Sequence, residues 1–140
     1  MALGIAVLVS NAVAAGWGAV GWMRQDARAS IVFFPLLRVA QATVVVQAVV
    51  GFFLLARGES APDGLHVAYG VSPLIVSLVS EGMRAGVAQR ELDKVEDIDA
   101  LERKEQVAVA RRVALGEMAV MTVGALLILT LALRAYQTGG

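Results

Sequence analysis

Four apolar runs, Met1 to Met23, Ile31 to Ala56, Gly64 to Glu81 and Val113 to Leu133, carry almost no charge. Each is roughly 17–26 residues long, near the ~20 that a helix needs to cross a hydrocarbon core ~30 Å thick, whereas a strand needs only ~10. In lipid the backbone polar groups must be satisfied within the protein, and a helix does this inside its own segment. The pattern therefore predicts an all-α fold: a polytopic membrane protein, a four-transmembrane-helix bundle with helices over about 2–23, 31–56, 64–90 and 106–135. Composition agrees, with 58% hydrophobic and 17% charged residues and a mean hydropathy of +0.70, far from soluble norms. Four spans use most of the 140 residues, so 1–140 reads as a single transmembrane domain.

The same composition excludes much chemistry. With no cysteine there are no thiolate metal sites, iron–sulfur ligands or disulfides. A net charge of zero gives no electrostatic footing for nucleic acid. The chain has no Gly-rich phosphate loop and no HExxH, and a single histidine leaves few nucleophile–base combinations. The expectation is a protein that is not an enzyme, with no catalytic residues, no metal and no cofactor. The first run lacks a basic n-region and exceeds the usual apolar core of a cleaved signal, so it reads as a retained helix despite the small residues from Asn11 to Gly16.

Charge fixes the expected orientation. Arg24, Arg28, Arg84, Arg90, Lys94, Arg103, Lys104, Arg111 and Arg112, nine basic residues, fall on one side of the four spans, against Arg57 and Arg134 on the other. The positive-inside rule then places the basic segments in the cytoplasm and both termini outside it, in a multi-pass cell-membrane protein. Arg57 to Gly64 contains Gly58 and Pro62 and reads as a short external turn. Between helices 3 and 4, about Gly86 to Glu105, acidic and basic residues alternate while Leu92, Val95, Ile98 and Leu101 recur about every third position. That period predicts a cytoplasmic helical hairpin extension with a narrow apolar seam, either a solvated loop or a docking surface.

Inside the spans, small and polar residues mark helix contacts. His66, Gly70, Pro73, Ser77, Ser80, Glu81 and Arg84 share one face of helix 3, and Gly4, Asn11, Ala14, Ala15, Gly18 and Gly21 form a stripe on helix 1. On helix 2, Thr43, Gln47 and Gly51 lie roughly opposite Arg38 and Gln41, so this helix is expected to be central or to touch another subunit. The packing candidates are Asn11, Gly18, Gln47, Gly51, Gly70 and Pro73, with a kink expected at Pro73. Arg38, Glu81 and Glu117 fall within one or two turns of a common depth at ~1.5 Å per residue. A charge alone in lipid is costly, so an intramembrane cluster of these three is expected, with Arg38 meeting Glu117, Glu81 or both. It serves as an ion-pair clasp, or as a proton or anion site; the other reading is separate snorkelling.

His66, near Asp63 and Tyr69, is the only histidine. An interfacial His usually caps or hydrogen-bonds its surroundings, although it can titrate or ligate a metal. Gln47-Ala48-Val49-Val50-Gly51, followed by Leu65-His66, resembles the glutamine–glycine then histidine pattern of haem A synthase and similar haem-b four-helix units, over about 20 residues. The resemblance implies haem b as an alternative cofactor with His66 as a ligand. The second histidine of that pattern is absent, and Met118 and Met121 fall at the opposite depth. Leu65 to Gly70 also resembles a stretch in small four-helix membrane proteins of high-GC bacteria, which implies the fold and no activity.

The reading that follows is a non-catalytic integral membrane protein, an accessory or scaffolding subunit of a larger membrane complex, respiratory by the resemblance alone. Its partners are the lipid bilayer and other membrane subunits or a second copy, not nucleic acid. The alternatives are a haem-b electron carrier acting as a homodimer through two His66 ligands, and a small transporter or channel using Arg38 and the glutamates.

Overall fold

The structure, a computed structural model, describes residues 2–60 and 64–138. Its long helices are α1 (Ala2–Met23), α2 (Ser30–Ala56), α3 (Gly64–Leu92) and α4 (Arg103–Thr138), with a 3-10 turn at Ala27–Ala29 before α2. All four are long and apolar enough to cross a membrane. The described residues contain no strand, and the architecture is the expected all-α four-helix bundle. Ala61, Pro62 and Asp63, including the expected neighbourhood of Asp63 and His66, lie outside the described residues, as do Gly139 and Gly140.

Polar residues extend two helices beyond the apolar runs. At ~1.5 Å per residue α3 is ~43 Å long and α4 ~54 Å, and both outlast a ~30 Å core. They supply the two arms of the hairpin extension, but its tip is not helical: residues 93–102 form turns and bends. Val95, Ile98 and Leu101 therefore do not form a helical seam, which corrects the expectation from their spacing. Local hydrogen bonds compete with the helix there. Asp97 Oδ1 accepts from the Asp99 N–H at 3.0 Å, and Gln106 Nε2 donates to the carbonyls of Ile98 and Leu101 at 3.0 and 3.3 Å.

α1 and α2 end in the same way. Asp26 N–H reaches Gly21 O at 2.9 Å and Gln25 N–H reaches Trp22 O at 3.0 Å; Glu59 N–H reaches Leu54 O at 3.2 Å and Gly58 N–H reaches Leu55 O at 3.0 Å. These bonds satisfy last-turn carbonyls and require a left-handed residue, Gln25 at φ 52° and Gly58 at φ 84°. Glycine takes that conformation without a steric penalty, and glutamine does not. Gln25 is tied down from both sides: its Nε2 donates to Trp22 O at 2.8 Å, and Arg111 of α4 donates to its carbonyl at 2.8 Å.

Two apolar clusters fill the bundle at different depths. Phe33, Leu37, Leu115, Met118 and Met121 form one, at the end that holds the basic links. Val7, Val44, Ile128 and Ala132 form the other, at the end that holds Ala2 and Thr138. Early α1 and late α4 meet with mid α2 in the second cluster, Gly18 of late α1 faces Phe33 of early α2, and Gly116 and Gly124 face Val87 and Ser80 in reverse order, so the helices alternate in direction. These ends are called basic and terminal below.

Lipid tails are as apolar as leucine, so close packing rather than water exclusion holds such helices together. On α1 the buried stripe is Val7, Asn11, Ala14, Ala15, Gly18 and Gly21, with Asn11 Nδ2 donating to Val7 O at 2.9 Å. A Cβ on Gly18 would strike the Phe33 ring and Thr122 Oγ1, and one on Gly21 would fall 2.6 Å from Ala29 Cβ. Gly4 is only half-buried, and a Cβ there would meet open space. α3 is fastened to α4 through glycines of α4: a Cβ on Gly116 would sit 2.6 Å from Val87, and one on Gly124 would strike Ser80. α4 packs against both α1 and α3, while α2 packs on α1 and meets α3 along a thin seam. α2 is thus peripheral, contrary to the expectation of a central helix. Thr43 Oγ1 meets Ser10 of α1 at 3.0 Å and Arg38 and Gln41 reach α3, while Gln47 and Gly51, expected on the Thr43 face, also border α3.

Candidate functional site

The α2–α3 seam gathers most of the polar chemistry predicted for the spans, in two levels. At the level nearer the basic end, Glu81 is the hub. Its Oε1 accepts from Arg38 Nη1 at 2.5 Å and from Gln41 Nε2 at 2.7 Å, and its Oε2 accepts from Arg84 Nε at 2.8 Å. Arg84 then reaches across to Glu117 Oε1 of α4 at 3.4 Å. Two arginines balance two glutamates, so the network is neutral, as a group of charges at this depth must be.

The network joins three helices, and Arg38, Glu81 and Glu117 do belong to it. The direct Arg38–Glu117 contact is replaced by the relay through Arg84, which also stands 5.8 Å from the centre of the Phe34 ring. Sequence spacing undervalued Arg84 because it reads as one of the basic residues at the membrane edge. Its position three residues after Glu81, on the same helical face, was the available signal.

Arg38 stands apart within the network. Its side chain is 52% exposed, against 27% for Arg84 and 17% for Glu117. It lies eight residues into α2, about 12 Å along the axis from Ser30. Arginines near a helix end commonly bend back to the nearer interface. Arg38 does the reverse: its Nη1 also donates to Gln41 Oε1 at 2.5 Å, one turn deeper into the span. Among the described residues the hydrogen bonds of its guanidinium all come from Nη1, so a half-exposed side chain keeps donors to spare at this depth.

Towards the terminal end the seam opens into a groove of about 290 Å³. Gln47, Gly51, His66 and Gly70 all line it, so the residues of the glutamine–glycine and histidine pattern share one wall system. Gly51 and Gly70 are not close-packed, which corrects their assignment as packing positions: a Cβ on either would meet nothing within 4 Å. They keep the groove open. Gln47 is half-buried, and its Oε1 is sealed from solvent without a hydrogen-bond partner. His66 is exposed near the start of α3. Pro73 is buried on the α3 face that also carries Ser80, and the helix runs through it unbroken.

For the haem alternative, one chain brings a single imidazole to the groove. His66 is the one histidine, while Met118 and Met121 are fully buried beside Phe33 in the cluster at the opposite end.

A separate ion-pair set caps the α3–α4 arms at the basic end. Glu91 accepts from Lys94 at 2.5 Å and from Arg112 at 3.1 Å. The Lys94 hydrogen bond holds the Glu91 carboxyl below the usual glutamate value, with Arg112 acting in the same direction against desolvation.

No known protein family, curated protein or solved structure matches this chain.

Proposed function

We propose that this chain is a non-catalytic integral membrane protein, an accessory or scaffolding subunit of a larger membrane assembly, that meets its partner sideways along the α2–α3 seam. The observation that carries the reading is Arg38. An arginine held away from the nearer interface, half exposed and with donors to spare at bilayer depth, is stabilised by an acceptor that a neighbouring transmembrane helix supplies. The α3–α4 arms then stand in the cytoplasm and both termini outside it, as the basic asymmetry requires.

A photo-crosslinking residue at Ala42, exposed beside Arg38 on α2, should capture a discrete protein partner, while one at Val123, exposed on α4, should capture none. Native mass spectrometry of gently extracted protein should show the same partner, lost in Arg38→Leu. A lone chain carrying only lipid, with equal crosslinking from both positions, overturns the subunit reading. Orientation is tested separately: a C-terminal reporter active only in the cytoplasm should be silent.

A further inference from the structure

We infer that the partner on the exposed face of α2 is a second copy of this chain, set parallel about a two-fold axis along the membrane normal, with Arg38 of each copy donating to the Ser10–Thr43 pair of the other; this rests on the lateral contact proposed above. Arg38 makes its bonds to Glu81 and Gln41 through Nη1, so the guanidinium keeps donors to spare. A carboxylate is the usual answer to such donors, but the charge balance opposes one here. Arg38 and Arg84 already balance Glu81 and Glu117, and a further carboxylate would leave a net negative charge at bilayer depth. The acceptor is therefore uncharged.

This chain carries such an acceptor on the other flank of the same helix face. Val39, Ala42, Val46, Val49 and Phe53 recur at alternating steps of three and four, and all are exposed. That is the seam spacing of two helices that cross at ~20°. Arg38 stands on the α3 side of the stripe, and Thr43 on the α1 side, beside Ser10. Thr43 Oγ1 spends its only hydrogen on Ala40 O at 2.7 Å, so across its 3.0 Å contact with Ser10 it accepts. Both hydroxyls are half-buried, and each keeps a lone pair. Two-fold pairing of parallel helices sets the residue before the seam in one helix against the residue after it in the other, five positions on. Arg38 then meets the hydroxyl pair of the other copy and not its own counterpart. Depth agrees: Thr43 lies five residues past Arg38, ~7.5 Å deeper, and Arg38 already bends that way towards Gln41. Ala42, the smallest side chain of the stripe, lies between the two levels and lets the helices approach.

The full chain has no cysteine, so single cysteines report the contact without background. Oxidation in the native membrane should link Ala42→Cys and Val46→Cys into dimers of this chain and leave Val123→Cys, exposed on α4, monomeric. Energy transfer between labelled chains in lipid vesicles should show a dimer that Arg38→Leu weakens ~3–20-fold, the range of interhelical hydrogen bonds in membranes. Ser10→Ala with Thr43→Val should weaken it comparably, and adding Arg38→Leu should cost nothing more. Should the hydroxyl variant fail to fold, Ala42→Trp decides: its side chain points out of the fold, and it should weaken the dimer more than 10-fold with helicity unchanged. A monomeric wild type, equal linking from Val123→Cys, or an unchanged dimer in Arg38→Leu overturns the inference. A photo-crosslink from Ala42 to a different protein overturns the second copy while leaving the lateral contact in place, whereas capture of lipid alone overturns both.

Discussion

Gly18 and Gly51 occupy the same kind of position in sequence, a glycine in a stripe of small or polar residues at helical spacing, and the bundle treats them in opposite ways. Around Gly18 the space of the missing side chain is taken by Phe33 and Thr122; around Gly51 it is left empty. The α1 side of the bundle is sealed by side chains of α2 and α4 that fill the space its glycines leave. The α2–α3 seam is held at one level by ions and left open at the other. A small-residue stripe thus reports that side chains are absent, and what fills the gap depends on the bulk offered by the opposite helix.

The largest effect should come from breaking that contrast directly. Gly18→Leu has no room without displacing Phe33 from the core, and overpacking commonly costs ~1–3 kcal/mol, more where the obstacle is rigid. Its unfolding in detergent should shift to much lower temperature or the bundle should not assemble. Gly51→Leu should melt within a degree or two of the wild type, or slightly higher, because leucine is the better helix former. Similar losses in both variants would mean that the groove is closed in the folded protein.

A smaller effect separates the two arginines of the ionic level. Arg84 binds both glutamates and is well covered, so Arg84→Leu strands Glu117 and takes one partner from Glu81, and should cost ~1–3 kcal/mol, less than the 3–5 typical of a fully buried pair. Arg38→Leu should cost ~1 kcal/mol or less, because its side chain is half exposed and Glu81 keeps Gln41 and Arg84. Its consequence should be loss of the lateral partner. Double-mutant cycles should give a larger coupling for Arg38 with Glu81 than for Arg38 with Glu117. The reverse order would put the direct Arg38–Glu117 contact back in place of the relay.

The four spans, the alternation of direction and the membership of Arg38, Glu81 and Glu117 were legible because each follows from a one-dimensional rule: apolar length, or the cost of a charge in lipid. Three features were not. The tip of the α3–α4 arms has a three-residue apolar rhythm, but side-chain bonds from Asp97 and Gln106 to the backbone hold it as turns. The tight α3–α4 contact at Gly116 and Gly124 depends on which α3 residues, Val87 and Ser80, arrive opposite. The openness around Gly51 and Gly70 is likewise a property of two helices together. Sequence spacing names the face, and only the packing decides whether that face is closed.

The smallest effect is expected at His66. It stands at the exposed start of α3, where a polar side chain needs only local hydrogen bonds. His66→Gln keeps a donor and an acceptor, so helicity, melting temperature and any co-purifying partner should remain as in the wild type. A haem ligand behaves otherwise, since an imidazole nitrogen makes the iron bond and glutamine does not replace it. The core position of Met118 and Met121 leaves a second His66, supplied by another chain at the same depth, as the remaining axial partner. Purified protein with a Soret band that vanishes in His66→Gln while the helices persist would move the seam from a subunit contact to an electron-carrier site. Unchanged spectra and an unchanged complex keep the functional weight on Arg38 and the ionic level of the seam.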